Sequence, residues 1–122
     1  MNVKAITLYY SACALWSTPA DDDDDVEYCD ELDAELSDET LAEMEKDCQK
    51  FCENNKSDLQ LFAEQGYDEA AVGHDFWLTR NGHGAGFWDR DLGELGERLT
   101  KSAEGFGTSD LFLGSDGQIH VE

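Results

Sequence analysis

Carboxylates dominate the residues of this chain that could do chemistry. Among its 122 residues, 29 are Asp or Glu and 8 are Lys or Arg, so the formal net charge is -21. From Asp21 to Asp47 there are 15 acids and a single base, Lys46. A surface of this charge repels phosphate backbones and anionic lipids within the screening length. We therefore expect no direct binding of nucleic acid and no membrane association.

Two groups of these acids form a candidate partner-binding surface. One is a run of five consecutive aspartates, Asp21, Asp22, Asp23, Asp24 and Asp25. The other, the acidic row, recurs every fourth residue and consists of Glu35, Glu39, Glu43 and Asp47. On a helix the row would place negative charges roughly 6 Å apart along one side, whereas duplex DNA carries about one charge per 1.7 Å of its axis. The pattern predicts a surface that enters a groove built for phosphates, and the alternative is a solvated helix face beside a solubilising loop.

Metal binding is the second chemistry to weigh. The aspartate run lacks the spaced ligands and the glycine of a calcium-binding loop. Cys48 and Cys52 lie one helical turn apart and offer half of a zinc site, to be completed by a histidine such as His74, His83 or His120, but no second paired motif follows. We interpret the cysteines as reduced core residues, and we predict neither a metal nor a cofactor.

Acid–base chemistry is the third possibility, and it centres on His83. This residue lies in a glycine-rich stretch near His74 and the carboxylates of Asp75 and Asp89. A small hydrolytic or metal-binding protein could use such groups. No nucleophile elbow, phosphate loop or His-Glu-x-x-His pattern accompanies them, so we assign no catalytic residue and favour a protein that is not an enzyme.

The elements that must position these groups begin with helices. Ile6, Tyr9, Cys13 and Trp16 are spaced for one face of an N-terminal helix. Residues 17–36, rich in acid, predict an exposed loop. A capped helix beginning at Ser37 or Asp38 would then bury an apolar stripe, and a capping-box pattern over residues 57–60 predicts the next short helix. The stripe consists of Leu41, Met44, Cys48, Phe51 and Cys52.

Residues 75–90 predict a β-hairpin around a glycine-rich turn. Trp77 would pair with Trp88 on one face, and this pair with His83 is a secondary candidate for partner binding. The alternative is that both tryptophans belong to the core.

A C-terminal helix and a second hairpin, with strands near 111–113 and 118–121, complete the pattern. The resulting prediction is one domain, residues 1–122, of the α+β class: N-terminal helices, then hairpin, helix and hairpin, with a small antiparallel sheet packed on helices.

One long block adds a resemblance to these patterns. Residues 73–90 read GHDFWLTRNGHGAGFWDR, and residues 93–100 continue as GELGERLT. This block, with the Ala-Leu-Trp-Ser segment at residues 14–17 and the acidic run after it, resembles a widespread group of small acidic proteins of bacteriophages and prophages. The resemblance carries over no catalytic or binding residue. It implies a context in which such proteins act against host restriction, CRISPR, repair or recombination proteins, often as DNA mimics.

These observations predict a cytoplasmic interaction protein that inhibits a basic, nucleic-acid-binding host protein. No segment has the uninterrupted apolar length that a membrane helix needs. The oligomeric state is left open, and a dimer is compatible with the sequence.

Overall fold

A computed structural model describes residues 1–19, 28–29, 34–83 and 85–122. The predicted α+β class is confirmed, with helices first and a hairpin near the C-terminus. The elements are α1 (Val3–Ser17), α2 (Asp38–Asn54), α3 (Lys56–Glu64), α4 (Glu69–Arg80), a 3₁₀ turn (Phe87–Arg90), α5 (Glu94–Glu104), β1 (Leu111–Leu113) and β2 (Ile119–Val121). Within the described ranges, no helix is both long enough and apolar enough to cross a membrane.

Helix α1 forms where the sequence predicts it, but it buries a different face. The stripe in the core is Ile6, Tyr10, Cys13 and Ala14, while Tyr9 and Trp16 are each 45% exposed. This face follows the i, i+4, i+7, i+8 spacing of a helix with one buried side. It packs on α4 and on α2, and Gly73 of α4 lies so close that an added Cβ would meet the backbone nitrogen of Tyr10 at 2.7 Å.

Helix α2 begins as predicted, with Ser37 as its N-cap. The Ser37 hydroxyl accepts a hydrogen bond from the backbone N–H of Thr40 at 3.1 Å, which satisfies one of the unpaired donors at a helix start. Of the predicted stripe, the residues in the core are Met44, Cys48 and Phe51, whereas Leu41 is 39% exposed.

The predicted capping box of α3 is wrong. The helix starts at Lys56 after Asn55, whose side chain makes no capping bond. The Asn55 amide instead donates to the carbonyl of Phe51 and to the hydroxyl of Ser102, and so ties α2 to α5.

The first predicted hairpin is also wrong, because residues 75–80 are the C-terminal half of helix α4. Asp68 caps this helix by accepting from the N–H of Ala71. The aromatic residues that suggested a strand are buried on several sides of the helix. Phe76 stacks on Phe51 with ring centroids 4.2 Å apart, so tertiary packing overrides the β preference of the local sequence.

The second hairpin is confirmed as a two-stranded antiparallel sheet, in which Phe112 is opposite His120. Strand β2 also bonds the segment before α2. Its Ile119 donates to the carbonyl of Glu35 and accepts from the N–H of Ser37, both at 2.9 Å. The C-terminal hairpin is thereby attached to the start of the acidic helix.

Candidate functional site

The acidic row is only partly a helical row. Helix α2 carries Glu39, Glu43 and Asp47, but it begins at Asp38, so Glu35 lies outside it in the extended segment beside β2. Glu35, Glu39 and Glu43 are exposed, and Asp47 is half-buried. The aspartates at 21–25 lie outside the described residues. The prediction of an acidic partner-binding surface therefore depends, in this structure, mainly on Glu39 and Glu43.

Asp47 has a structural partner that the sequence did not reveal. Its Oδ2 accepts a hydrogen bond from Nη1 of Arg80 at 2.8 Å. The same guanidinium donates to the hydroxyl of Tyr10 at 3.0 Å and to the carbonyls of Phe106 and Gly107 at 3.1 and 2.9 Å. Because Arg80 is buried, these four acceptors satisfy a charge that would be costly alone. Asp47 is therefore held in an internal ion pair with Arg80.

Glu39 and Glu43 open onto a cleft of about 580 Å³. The cleft lies between α2 and the C-terminal segment, and that segment adds a carboxylate, Glu122, that sequence reasoning missed. The charged lining is Glu39, Glu43, Asp47, Glu122 and the edge of Arg80, and the apolar lining includes Met44, Phe106 and Val121. Such a lining suits a long cationic side chain, whose stem packs on apolar carbon while its head meets carboxylates.

Two bases limit how far the acidic surface extends along α2. Lys46 lies three residues after Glu43, and Lys50 four residues after Lys46, which places both on the same side of the helix as Glu39 and Glu43. Both lysines are exposed. The negative surface is therefore concentrated at the N-terminal half of α2, and the row does not continue as a uniform line of charge.

The described carboxylates of the cleft differ in their bonding. No hydrogen bond or ion pair within the described ranges engages the side chains of Glu39, Glu43 or Glu122, in contrast to that of Asp47. These three side chains are consequently the groups available to a positively charged partner.

The predicted tryptophan pair does not form, because its hairpin does not exist. Trp77 is 2% exposed, donates its indole N–H to the hydroxyl of Ser17 at 3.0 Å and meets the ring of Tyr10 edge-on at 5.3 Å. Trp88 is 54% exposed on the 3₁₀ turn. His83 is exposed in the turn after α4. The three secondary candidates therefore do not share one platform.

The histidine and carboxylate chemistry appears at a different place from the one predicted. His74, rather than His83, lies beside Asp75, with 3.3 Å between its Nδ1 and Oδ1 of the carboxylate. Asp75 is 2% exposed and accepts two hydrogen bonds from the guanidinium of Arg90. The Trp16 ring stacks on His74 with centroids 5.6 Å apart. Because Arg90 already neutralises Asp75, this cluster is an internal ion pair with a histidine at its rim.

The cysteines fit the core interpretation. Cys13, Cys48 and Cys52 are free thiols. Burial raises the pKa of the Cys13 and Cys48 thiols to about 12, and a protonated thiol is neither a nucleophile nor a good metal ligand. Among the described residues, no three His, Cys, Asp or Glu side chains are arranged to hold a metal ion.

Glu122 illustrates what sequence reasoning missed. It is a single acid at the end of a short strand, far along the chain from Glu39, and no local pattern links the two. The pairing of β2 with residues 35–37 is what brings it to the cleft.

No protein-family model, curated protein or solved structure matches this chain.

Proposed function

We propose that this protein is an acidic interaction protein that binds a basic, nucleic-acid-binding host protein and competes with DNA or RNA for its phosphate-binding groove. The observation that carries the proposal is the cleft lined by Glu39, Glu43 and Glu122, whose side chains form no hydrogen bond or ion pair with the other described residues. Three carboxylates that line one cleft and have no partner in the described part of the chain can form ion pairs with cations of another protein.

The overall charge supports this direction of binding. A net charge of -21 speeds the approach of a positively charged partner and opposes approach to nucleic acid or anionic lipid. The same surface therefore selects for the class of protein whose own function is to hold phosphates.

The chemistry of the cleft supports a specific contact. Arginine and lysine side chains line phosphate-binding grooves, and a mostly polar cleft that carries several carboxylates beside a few apolar side chains can take up either one. Glu39 and Glu43 would then take the place of two phosphates of a nucleic-acid strand.

The resemblance of residues 73–100 to small acidic phage proteins supplies the biological setting. In that setting the partner is a host defence or repair protein, such as a restriction, CRISPR or recombination enzyme, and the action is inhibition in the host cytoplasm. The proposal requires no cofactor and no catalytic residue.

Salt-dependent capture tests the proposal. The immobilised full chain is exposed to bacterial lysate at about 0.1 M salt, where charges are screened over about 10 Å, and at about 1 M, where the distance is about 3 Å. Bound proteins are identified by mass spectrometry. The expected result is a DNA- or RNA-binding protein that is retained at low salt only and is released by added duplex DNA or by RNA.

Matched variants decide which surface is responsible. Changing Glu39, Glu43 and Glu122 together to glutamine is expected to abolish retention. The control changes three exposed acids on α3 and α5 by the same total charge, namely Glu64, Glu97 and Glu104 to glutamine, and is expected to retain most of it. Equal retention by both triple variants, or release that neither salt nor nucleic acid promotes, would contradict the proposal.

A further inference from the structure

Among the described residues, strand β1 has a partner on one edge only. Its neighbour β2 pairs with β1 on one side and with residues 35–37 on the other. In the described part of the chain, no further strand or bridge joins β1. The open edge of β1 is therefore the outer edge of the sheet.

The hydrogen bonds show which backbone groups of β1 point outward. Both backbone groups of Ile119 bond residues 35–37, so the Leu113–Ile119 pair exchanges no ladder bonds. On the flanks of β1, Gly114 donates to the carbonyl of Gln118, and the carbonyl of Asp110 accepts from Glu122. Because backbone groups alternate in direction along a strand, Phe112 bonds β2 while the N–H and C=O of Leu113 face away from it.

These outward groups are accessible. The N–H of Leu111 is capped by the carboxylate of Asp110 at 2.9 Å, but the described residues provide no hydrogen-bond partner for the N–H or the C=O of Leu113. Leu113 is 40% exposed and Phe112 is 46% exposed on the opposite face, so this end of the strand extends past the core. An edge of this kind accepts an added strand from another chain.

The charge around the edge selects the occupant. Residues 108–118, which contain β1 and the turn after it, include Asp110 and Asp116 and no Lys or Arg, and Asp116 contacts His120. A second copy of this chain would bring the same charges, and -21 in total, to the same place. An extended segment that carries lysine or arginine is complementary to it, with its apolar side chains free to pack on Phe112 or Leu113.

We infer that the open edge of β1 binds an extended basic segment of a partner protein by adding it to the sheet as a strand. This goes beyond the cleft proposed above, since it uses the backbone N–H and C=O of Leu113, a residue that does not line the cleft. It does not depend on nucleic-acid mimicry, because any partner with an extended basic segment meets its requirements.

Amide exchange measured by NMR on the full chain tests the inference with a defined probe, a short synthetic peptide of alternating lysine and valine. Without peptide, the N–H of Leu113 is expected to exchange rapidly while that of Phe112 is protected. With saturating peptide, exchange at Leu113 is expected to slow by about tenfold or more. A peptide of the same sequence that is N-methylated at both its lysines and its valines has no donor on either edge. This peptide, and one with glutamate in place of lysine, are expected to give no protection.

Two variants at one position separate the backbone donor from the side chain. Leu113→Pro removes the outward N–H without removing a ladder bond, whereas Leu113→Ala removes more of the side chain but keeps the N–H. Leu113→Pro is expected to bind the peptide about fivefold more weakly than Leu113→Ala. Continued protection of the Phe112 amide verifies that each variant keeps its sheet. The methylated peptide tests the loss of backbone hydrogen bonds in the unmodified chain, because there the donors are removed from the peptide instead of from Leu113.

Several results would overturn the inference. Slow exchange at Leu113 in the free chain would mean that the edge is already covered, and protection that grows with protein concentration alone would make the occupant a second copy. Equal binding of the methylated peptide would show that backbone hydrogen bonds are not needed. Equal binding of the glutamate peptide would show that positive charge is not needed. Peptide binding that perturbs the cleft of Glu39 and Glu43 but leaves Leu113 unchanged would refute this inference while leaving the proposed function standing.

Discussion

The outer face of α2 and the C-terminal half of α4 use charge in opposite ways. On α2, Glu39 and Glu43 are exposed and without bonds to other described residues. On α4, Asp75 and Arg80 are buried, and each has a charged partner, Arg90 and Asp47. A charge removed from water must be paired, whereas a charge left in water need not be.

This difference separates the charges that build the molecule from those that can bind another one. Of the four members of the acidic row, Asp47 belongs to the first class because Arg80 holds it. Glu35, Glu39 and Glu43, which are exposed, belong to the second. Three predictions test that division, beginning with the one whose effect on the free energy of unfolding is largest.

Removing the partner of Asp75 should give the largest loss of stability. Arg90→Ala leaves a carboxylate that is 2% exposed with the rim residue His74 in place of its guanidinium partner, and removing one member of a buried ion pair costs about 3 kcal/mol or more. Urea unfolding measures the change. The matched control is Arg98→Ala, which breaks the exposed pair with Asp58 and is expected to cost less than about 1 kcal/mol. Equal losses in the two variants would break the comparison between buried and exposed pairs.

The buried thiols predict a fall in stability at alkaline pH. Burial raises the pKa of Cys48 from 9.0 to about 12, so the folded chain keeps a proton that the unfolded chain loses above about pH 9. The contribution of this thiol to the free energy of unfolding is therefore fully present below pH 9. It declines as the pH rises toward 12, by about 1.4 kcal/mol per pH unit. Urea unfolding at several pH values should show a shallower decline for Cys48→Ala. An unchanged slope would mean that the thiol ionises alike in both states.

Neutralising the two exposed acids should have the smallest effect on stability. The double variant Glu39→Gln with Glu43→Gln removes two like charges spaced by four residues, and surface changes of this kind shift the unfolding free energy by less than about 0.5 kcal/mol. Urea unfolding at low salt measures it. A loss above about 1 kcal/mol would show that these acids stabilise the fold. Loss of partner capture could then reflect unfolding of the variant as well as loss of the binding carboxylates.

Local patterns predicted the elements that have strong local signals. Ser37 as a helix cap, the helix over α1, the C-terminal helix and the hairpin at 111–121 each depend on short-range hydrogen bonds or on regular spacing, and each is confirmed. The hairpin prediction for residues 75–90 was wrong because the aromatic residues in this stretch, and Thr79, favour strands when considered alone. In the folded chain Phe76 and Trp77 are buried on α4, where Phe76 stacks on Phe51 of α2 and Trp77 contacts Tyr10 of α1. Trp88 is exposed on the 3₁₀ turn.

The candidate site was predicted in part for the same reason. The spacing of Glu39 and Glu43 on a helix could be read directly from the sequence. Their convergence with Glu122 could not, since it depends on β2 bonding the segment before α2. The partner of Asp47 was hidden as well, because Arg80 was expected in a strand.

The sequence by itself determined the sign and the density of charge, the class of the fold and the position of the acidic helix, because composition and short-range spacing are properties of the chain. Only the tertiary structure decided which carboxylates form internal ion pairs and which are exposed without one among the described residues. It also decided that Trp77 lies in the core and Trp88 on the surface. Burial is the physical reason: the energy of a charge or a ring depends on what packs around it, and those neighbours come from distant parts of the chain.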